Sequence, residues 1–448
     1  MNTSEIEEIL PLTPMQQGML FHSMLAPEES IYFEQSTWIL SGVLNPHAFE
    51  TAWQKVVDRH MALRAAFILS GLDDPVQVIY HHLDLPFHHL DWSNTSPKEQ
   101  ETYLEQLLIK DREKGFDPTV PPLMRFYLIQ NTPEQWTFVW SHHHVLLDGW
   151  SQPILLNEFI HIYEASQKGA GGTLPAPGSY RSYIAWLQQQ NRQAASLAWQ
   201  AELSGFHSPT SIHLESSHPA NQIADETHET QKLLLPQILS EDLTKFCRQH
   251  QLTLNTLFQG VWGLLLSRYT RQDDIVFGST VSGRPTDLPG SEGIVGLLIN
   301  TLPVRIQMDP SMATLDWLKA LQTKRANLRQ YDYCSLTDIQ GWSEVPRDLP
   351  LFETLLVYEN YPIDPHGMNQ IGHLQIQSTS SYARTNYPLT LAISPGECIG
   401  LAVHYAVNHF NDSDISRLMG HIQTILESIL LSPEIPIVQQ SMLTEEEK

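Results

Sequence analysis

With 448 residues the chain is too long for one ordinary hydrophobic core and is expected to form two or three structural units. At 42% hydrophobic and 17% charged it is globular rather than disordered. Its 26 Lys and Arg against 50 Asp and Glu give a net charge of -24, which argues against sequence-independent nucleic-acid binding and against anionic membrane surfaces. Three scattered cysteines, Cys247, Cys334 and Cys398, exclude a disulfide framework or a Cys-x-x-Cys metal site and fit a reducing compartment. The acidic start, Met1 to Glu8, is unlike a secretory signal, and the longest apolar run, near Val261 to Leu266, is too short to span a bilayer. A soluble, cytoplasmic protein is expected. Local basic spots remain at Arg59 with Arg64 and at Lys110, Arg112 and Lys114.

In chain order, residues 46–60 place Phe49, Trp53, Val56, Val57 and His60 at helical spacing, which predicts an amphipathic helix. It leads into Leu63 to Phe67, which reads as the start of a strand. Trp136 to Trp140 is a β-favouring run that ends at a group of histidines. After Gly149, Ser151 is positioned to cap a helix carrying Ile154, Leu155, Phe159 and Tyr163. Residues 167–179 are dense in Gly and Pro and read as a surface connection. A helical stretch from Tyr180 to about Ser204 follows, then a polar segment, His207 to Gln231, expected to be a loop. Beyond Lys232 the sequence predicts a helix over Leu254 to Tyr269, strands at Asp274 to Gly278 and Leu297 to Ile306, and a loop between Gly283 and Gly296. A last amphipathic helix begins near Asp412. No repeat is visible. Two α/β units follow, divided as 1–178 and 232–448 with a helix and loop connection over 179–231.

Common catalytic motifs are absent: there is no Gly-Lys-Ser/Thr phosphate loop, no Gly-x-Ser-x-Gly elbow and no His-Glu-x-x-His. His213-Leu-Glu-Ser-Ser-His218 has the wrong spacing for a metal site and lies in a polar stretch. The informative run is Ser141-His142-His143-His144-Val145-Leu146-Leu147-Asp148-Gly149-Trp150. One imidazole can be a satisfied core residue. Two His with an Asp can hold a metal, although a zinc site needs further ligands from elsewhere. The third reading is acid–base chemistry, since a neutral imidazole takes a proton near working pH. Asp148 then holds the turn by pairing with a cation, and Gly149 lets backbone approach a substrate closely. The residues alone leave all three open.

His143-His144-x-x-x-Asp148-Gly149 resembles the His-His-x-x-x-Asp-Gly signature of the condensation domains of nonribosomal peptide synthetases, relatives of chloramphenicol acetyltransferase. The surrounding motifs occur in the same order. Leu12-Thr13-Pro14-Met15-Gln16-Gln17-Gly18-Met19-Leu20 resembles the first, and Arg59-His60-x-x-Leu63-Arg64-x-x-Phe67 the second. Val281-Ser282-Gly283-Arg284-Pro285, Val295-Gly296-Leu297-Leu298-Ile299-Asn300-Thr301 and Asn386-Tyr387-Pro388-Leu389 follow, so the likeness runs from about residue 9 to 440. The resemblance implies two acetyltransferase-like lobes in a V with a tunnel between them. It implies no bound cofactor, with substrates arriving on the phosphopantetheine arms of donor and acceptor carrier proteins. By position, His144 is the catalytic residue, His143 a framework residue and Asp148 the partner of an arginine, Arg284. The Gly149 amide is expected near the developing oxyanion, and Arg64 is expected to support the tunnel or the motif loop.

Related readings differ in detail. An epimerization domain shares the histidine motif but carries Val-Gly-Trp-Phe where this chain has Val295-Gly296-Leu297-Leu298. A heterocyclizing variant replaces the histidines by Asp. A non-catalytic recruiting module keeps the fold but has a damaged motif, whereas this one is intact. The run Pro11 to His22 and Leu147-Asp148-Gly149-Trp150 resemble the subgroup taking a D-configured donor and an L acceptor. The first motif lies close to Met1, as at the start of a synthetase chain or of an excised fragment. The tail Met442 to Lys448 resembles the linker that leads to an adenylation domain.

Overall fold

The computed structural model describes residues 5–25, 31–72, 74–169, 173–212, 228–361, 370–383 and 385–448, so His213 and His218 lie outside the described residues. The chain begins β1 (Ile6–Pro11), α1 (Pro14–Leu25), β2 (Phe33–Ser41), α2 (Pro46–Arg59), β3 (Ala65–Ile68), β4 (Val76–Tyr80) and β5 (Phe87–Asp91). It continues through α3 (Pro97–Lys114), β6 (Met124–Thr132), β7 (Gln135–His143), α4 (Ser151–Gln167), α5 (Tyr180–Gln188) and α6 (Arg192–Leu203). Then come β8 (His228–Leu234), α7 (Gln237–His250), α8 (Leu254–Thr270), β9 (Asp274–Val281), β10 (Asn300–Gln307), α9 (Thr314–Leu328), α10 (Leu336–Trp342) and β11 (Thr354–Tyr358). The last elements are β12 (Gln370–Ile371), β13 (Leu374–Tyr382), β14 (Leu389–Ser394), β15 (Gly400–Ala406) and α11 (Asp412–Leu431).

These elements form two compact units that interleave along the sequence. The first comprises the described residues of Met1–Gln190, Ser282–Ile299 and Tyr361–Asn386; the second comprises Asn191–Val281, Asn300–Asn360 and Tyr387–Lys448. Local composition suggests instead a linear partition at 178 and 231. The two excursions into the first unit depend on long-range contacts that composition does not register: β13 pairs with β2, and Ser282–Ile299 is tied to Asp148.

In the first unit an open six-stranded sheet has the order β12-β13-β2-β7-β6-β5, beside a three-stranded sheet β1-β4-β3. Helices α2 and α4 bury an aromatic core against the larger sheet. Trp53 stacks on Phe159 at 4.6 Å between ring centroids and lies 5.1 Å from Trp140, while Phe49 meets Phe138 edge-on at 5.0 Å. Such rings remove large apolar areas from water and add directional ring contacts. Asn45 caps α2 by accepting from the Ala48 amide, and Pro46 opens the helix with a backbone angle already suited to it. The helix stops at Arg59 because His60 turns to an extended conformation at φ -111°. Residues 61–64 then form a 3₁₀ turn, so the expected strand starts at Ala65 rather than Leu63.

The second unit holds an open sheet of order β10-β9-β11-β14-β15-β8, parallel where β11 meets β9 and β14. Helix α8, capped by Thr253 through the Thr256 amide, is buried along nearly its whole length with α11 in the same core. The helix expected from 180 to 204 is two helices, because Asn191 caps a new start by accepting from the Ala194 amide. The loop expected to Gln231 gives way at His228 to β8, whose partner β15 lies far along the sequence. Among the described residues no helix is long and apolar enough to cross a membrane.

Candidate active site

Strand β7 is buried over almost its whole length and carries two of the histidines within its hydrogen-bonded ladder. His142 lies opposite Glu34 and His143 opposite Phe33 on β2, so the ladder fixes both backbones. A 3₁₀ turn over His144–Leu146 then takes the chain out of the sheet, with the His144 amide still donating to the Tyr32 carbonyl at 2.8 Å. Tyr32 adopts φ +66°, an uncommon left-handed conformation for a side-chain-bearing residue.

The three imidazoles differ in environment. The His142 ring is buried beside Trp140, 4.8 Å between centroids, and its Nε2 lies 2.9 Å from Glu34 Oε2 but off the line of a hydrogen bond. His143 is buried and its Nδ1 accepts from the Val145 amide at 3.1 Å, closing the turn. His144 is the one that reaches out: its side chain is 20% exposed against 1% for His142. Its Nδ1 lies 2.8 Å from the Leu147 carbonyl. A carbonyl only accepts, so Nδ1 carries a proton, and in the neutral form of the ring the lone pair is on Nε2. Of the three rings, His144 is the partly exposed one, and His143 is committed to its own turn.

Burial, followed by the charges of His144 and His142, pushes the His143 imidazole down to about 3, so it stays neutral in the folded protein. Below about pH 6.5 the unfolded chain takes up a proton at this residue that the folded chain refuses, so the contribution of His143 falls steadily with acidification until about pH 3. At pH 5 the loss relative to pH 7 is expected to be about 2 kcal/mol. In His143→Asn, whose amide can still receive the Val145 N–H, urea unfolding at pH 7 and pH 5 is expected to show a correspondingly smaller difference. Equal pH dependence in the two proteins refutes the assignment.

Asp148 is fully buried and faces away from the imidazoles into a closed set of donors. Arg284 grips it at both oxygens, Nη1 to Oδ2 at 2.9 Å and Nη2 to Oδ1 at 3.0 Å. The amides of Leu298 and Ile299 donate to Oδ2 at 3.0 and 3.2 Å, and the Ser151 amide and hydroxyl to Oδ1 at 3.0 and 2.9 Å. Two expectations are corrected here. Ser151 is the first residue of α4 rather than its cap, its hydroxyl being committed to Asp148 and the Gly296 carbonyl. The strand expected from Leu297 starts at Asn300, because the preceding amides serve the carboxylate instead of a ladder. Gly283, at φ +60°, is required at the bend of this segment, since a Cβ there would lie 1.6 Å from the Leu298 carbonyl oxygen.

Gly149 sits beneath the Tyr361 ring, where a Cβ would fall 2.3 Å from ring carbon Cζ. Among the described residues its amide donates to no backbone carbonyl. The first motif forms a capping box, Thr13 and Gln16 exchanging hydrogen bonds, and Gln16 Nε2 reaches the Val145 carbonyl at 3.3 Å. It therefore anchors α1 to the histidine turn. In the second motif Arg59 and His60 both bind the Glu158 carboxylate of α4. Arg64 is not brought to the histidines: it donates to Glu7 and to the carbonyls of Tyr80 and His81, joining β1 to the end of β4. Asn386 accepts from the Tyr32 hydroxyl at 3.0 Å.

Glu34 is the site residue that sequence reasoning missed. Its Oε1 lies 3.4 Å from His144 Nδ1, and a lone Glu in a β-favouring run carries no signal until the register of β2 on β7 is known. Among the described residues no group of three or more His, Cys, Asp or Glu is arranged to hold a metal.

A partly exposed histidine on a strand-to-helix turn, a buried histidine beside it and an ion pair that braces the turn make up the candidate site. The chain belongs to the Condensation domain family, whose profile matches residues 6–448. It is similar to two linear gramicidin synthase proteins from Brevibacillus parabrevis, at 40% identity over 443 residues and 41% identity over 444 residues. Each match covers 99% of this chain but only 6% and 8% of those two proteins, so the chain spans less than a tenth of the relatives' length. Among solved structures it resembles the first condensation domain of the CDA synthetase, with TM-score 0.74 at 15% identity over 98% of this chain and 100% of that one. It also resembles the teicoplanin X-domain solved in complex with OxyB, with TM-score 0.79 at 21% identity over 98% and 97%. These likenesses show the fold, that of the two-lobed, chloramphenicol-acetyltransferase-like condensation domains.

Proposed function

We propose that this domain forms the peptide bond between a donor aminoacyl or peptidyl thioester and the amino group of an acceptor aminoacyl thioester, each held on the phosphopantetheine arm of a carrier protein. The observation that carries the reading is the partly exposed His144 ring with its Nδ1 proton committed to Leu147, which leaves the Nε2 lone pair for an amine. The amine nitrogen attacks the thioester carbonyl, the C–S bond breaks, and the proton the amine gives up, taken or oriented by Nε2, passes to the departing thiolate. The Gly149 amide donates to the carbonyl oxygen as it gains charge. Holding two activated partners in line supplies most of the acceleration, because a thioester is already a good acyl donor.

Two carrier proteins are the partners this chemistry requires; an adenylation domain next to this one and a cytoplasmic setting complete the reading, with no cofactor bound by the domain itself. The motif likeness at Pro11 to His22 favours a D donor and an L acceptor. The X-domain likeness shows that one fold also appears in a complex with another protein, so the fold alone does not choose between catalyst and recruiter. The complete histidine motif favours the catalyst.

The test loads separate donor and acceptor carriers, D and L donors in parallel, and follows the dipeptidyl carrier by mass spectrometry. Product from wild type, faster with the D donor, is expected. Failure of the folded domain to join donors of either configuration across a panel of acceptors overturns the reading.

A further inference from the structure

We propose that Glu34 is a positioning residue for His144, supplying a fixed negative charge on the Nδ1 edge of the ring while Nε2 faces substrate. This inference rests on the amide-forming reading of the site. Glu34 lies on β2 opposite His142, with Oε1 3.4 Å from His144 Nδ1 and Oε2 2.9 Å from His142 Nε2. The Nδ1 proton itself goes to the Leu147 carbonyl at 2.8 Å. The carboxylate therefore acts as a counter-charge rather than as the hydrogen-bond acceptor that sets the tautomer.

The groups facing His144 leave this role to Glu34. From β7 come His142 and the neutral, buried His143; Asp148 in the following loop is taken up by Arg284. From α4 comes Gln152, whose amide nitrogen lies 3.5 Å from Glu34 Oε2. Among the described residues no Lys or Arg pairs with Glu34, so a single anion faces the imidazoles. Burial by itself raises the Glu34 carboxyl, but positive charge on the His144 and His142 rings outweighs it and holds it down to about 2, so the carboxylate is ionised whenever an imidazolium forms beside it. When Nε2 accepts a proton, the imidazolium forms beside this anion in a partly water-excluded site, where the attraction exceeds its value in bulk water.

Glu34→Gln keeps the shape and removes the charge. In single-turnover condensation with preloaded carriers, kcat on the pH plateau is expected to fall about tenfold, a fraction of the usual general-base contribution. The KM for both carriers should be unchanged. Without the anion the ring is harder to protonate, so the acid limb of the kcat profile should move to lower pH. Glu34→Asp, which keeps the charge, should restore most of the rate and the position of the limb. An acid limb that stays in place in folded Glu34→Gln overturns the proposal, because a merely structural residue would lower the rate without moving it. Should Glu34→Gln fail to fold, Glu34→Ala decides: it too removes the charge and should move the limb to lower pH, and no shift overturns the proposal. Wild type inactive on every carrier pair sinks the amide-forming reading itself, whereas active wild type with an unmoved limb in the variant sinks only the role of Glu34.

Discussion

Asp148→Ala is expected to lower the stability of the first unit by about 3–5 kcal/mol, the usual result of stripping one partner from a buried ion pair. The carboxylate is wholly buried and serves the Arg284 guanidinium, the Leu298 and Ile299 amides, and the Ser151 amide and hydroxyl. Alanine leaves the guanidinium of a buried arginine with only the Ser282 and Ile294 carbonyls as acceptors. In a unit of this size each kcal/mol moves the melting temperature by about 2–4 °C, so a fall of roughly 10 °C is expected in a thermal melt. Arg284→Ala should fall similarly, and the double variant should lose clearly less than the sum, since the two groups share one interaction. A melting curve for Asp148→Ala that overlays wild type sinks this account. Whatever fraction stays folded should retain condensation activity, because Asp148 braces the turn and does not touch the reacting atoms.

His144→Ala should behave in the opposite way, with stability near wild type and kcat reduced by about 10² to 10⁴. Its ring is partly exposed and, among the described residues, makes one hydrogen bond, to its own turn, so its removal opens no large buried cavity. The reaction survives at a reduced rate because proximity of thioester and amine does not depend on the ring. The size of the loss, measured in the same carrier assay at saturating carriers, separates two roles. A loss near the upper end, with a rate that climbs with pH as the amine deprotonates unaided, identifies proton removal. A loss near the lower end, with an unchanged pH profile, identifies orientation of the amine. If the variant unfolds instead, His144 is a structural residue and the active-site assignment fails.

The aromatic core was visible in sequence through Phe49 and Trp53 at helical spacing, and α2 has the boundaries that spacing predicts to within a residue. The same holds for α8 and for the start of α11, whose caps Thr253 and Asn411 stand at the start of apolar periodicity. Legibility failed where a long-range contact overrides local preference. Leu297 to Ile299 are β-favouring, yet two of their amides bind Asp148, which is distant in sequence. Arg64 lies within a motif, yet its position in the turn before β3, beside the end of β4, directs it to Glu7 and not to the histidines.

Sequence by itself determined which residue types stand next to one another and in what order the motifs occur. That was enough for the family. Tertiary structure alone decided what surrounds each ring: the Leu147 carbonyl that holds the Nδ1 proton of His144, the burial that keeps His143 neutral, and the β2 register that brings Glu34 to the site. The physical reason is that a proton's location depends on charges and dipoles within a few ångströms. In a folded chain those neighbours come mostly from residues remote in sequence.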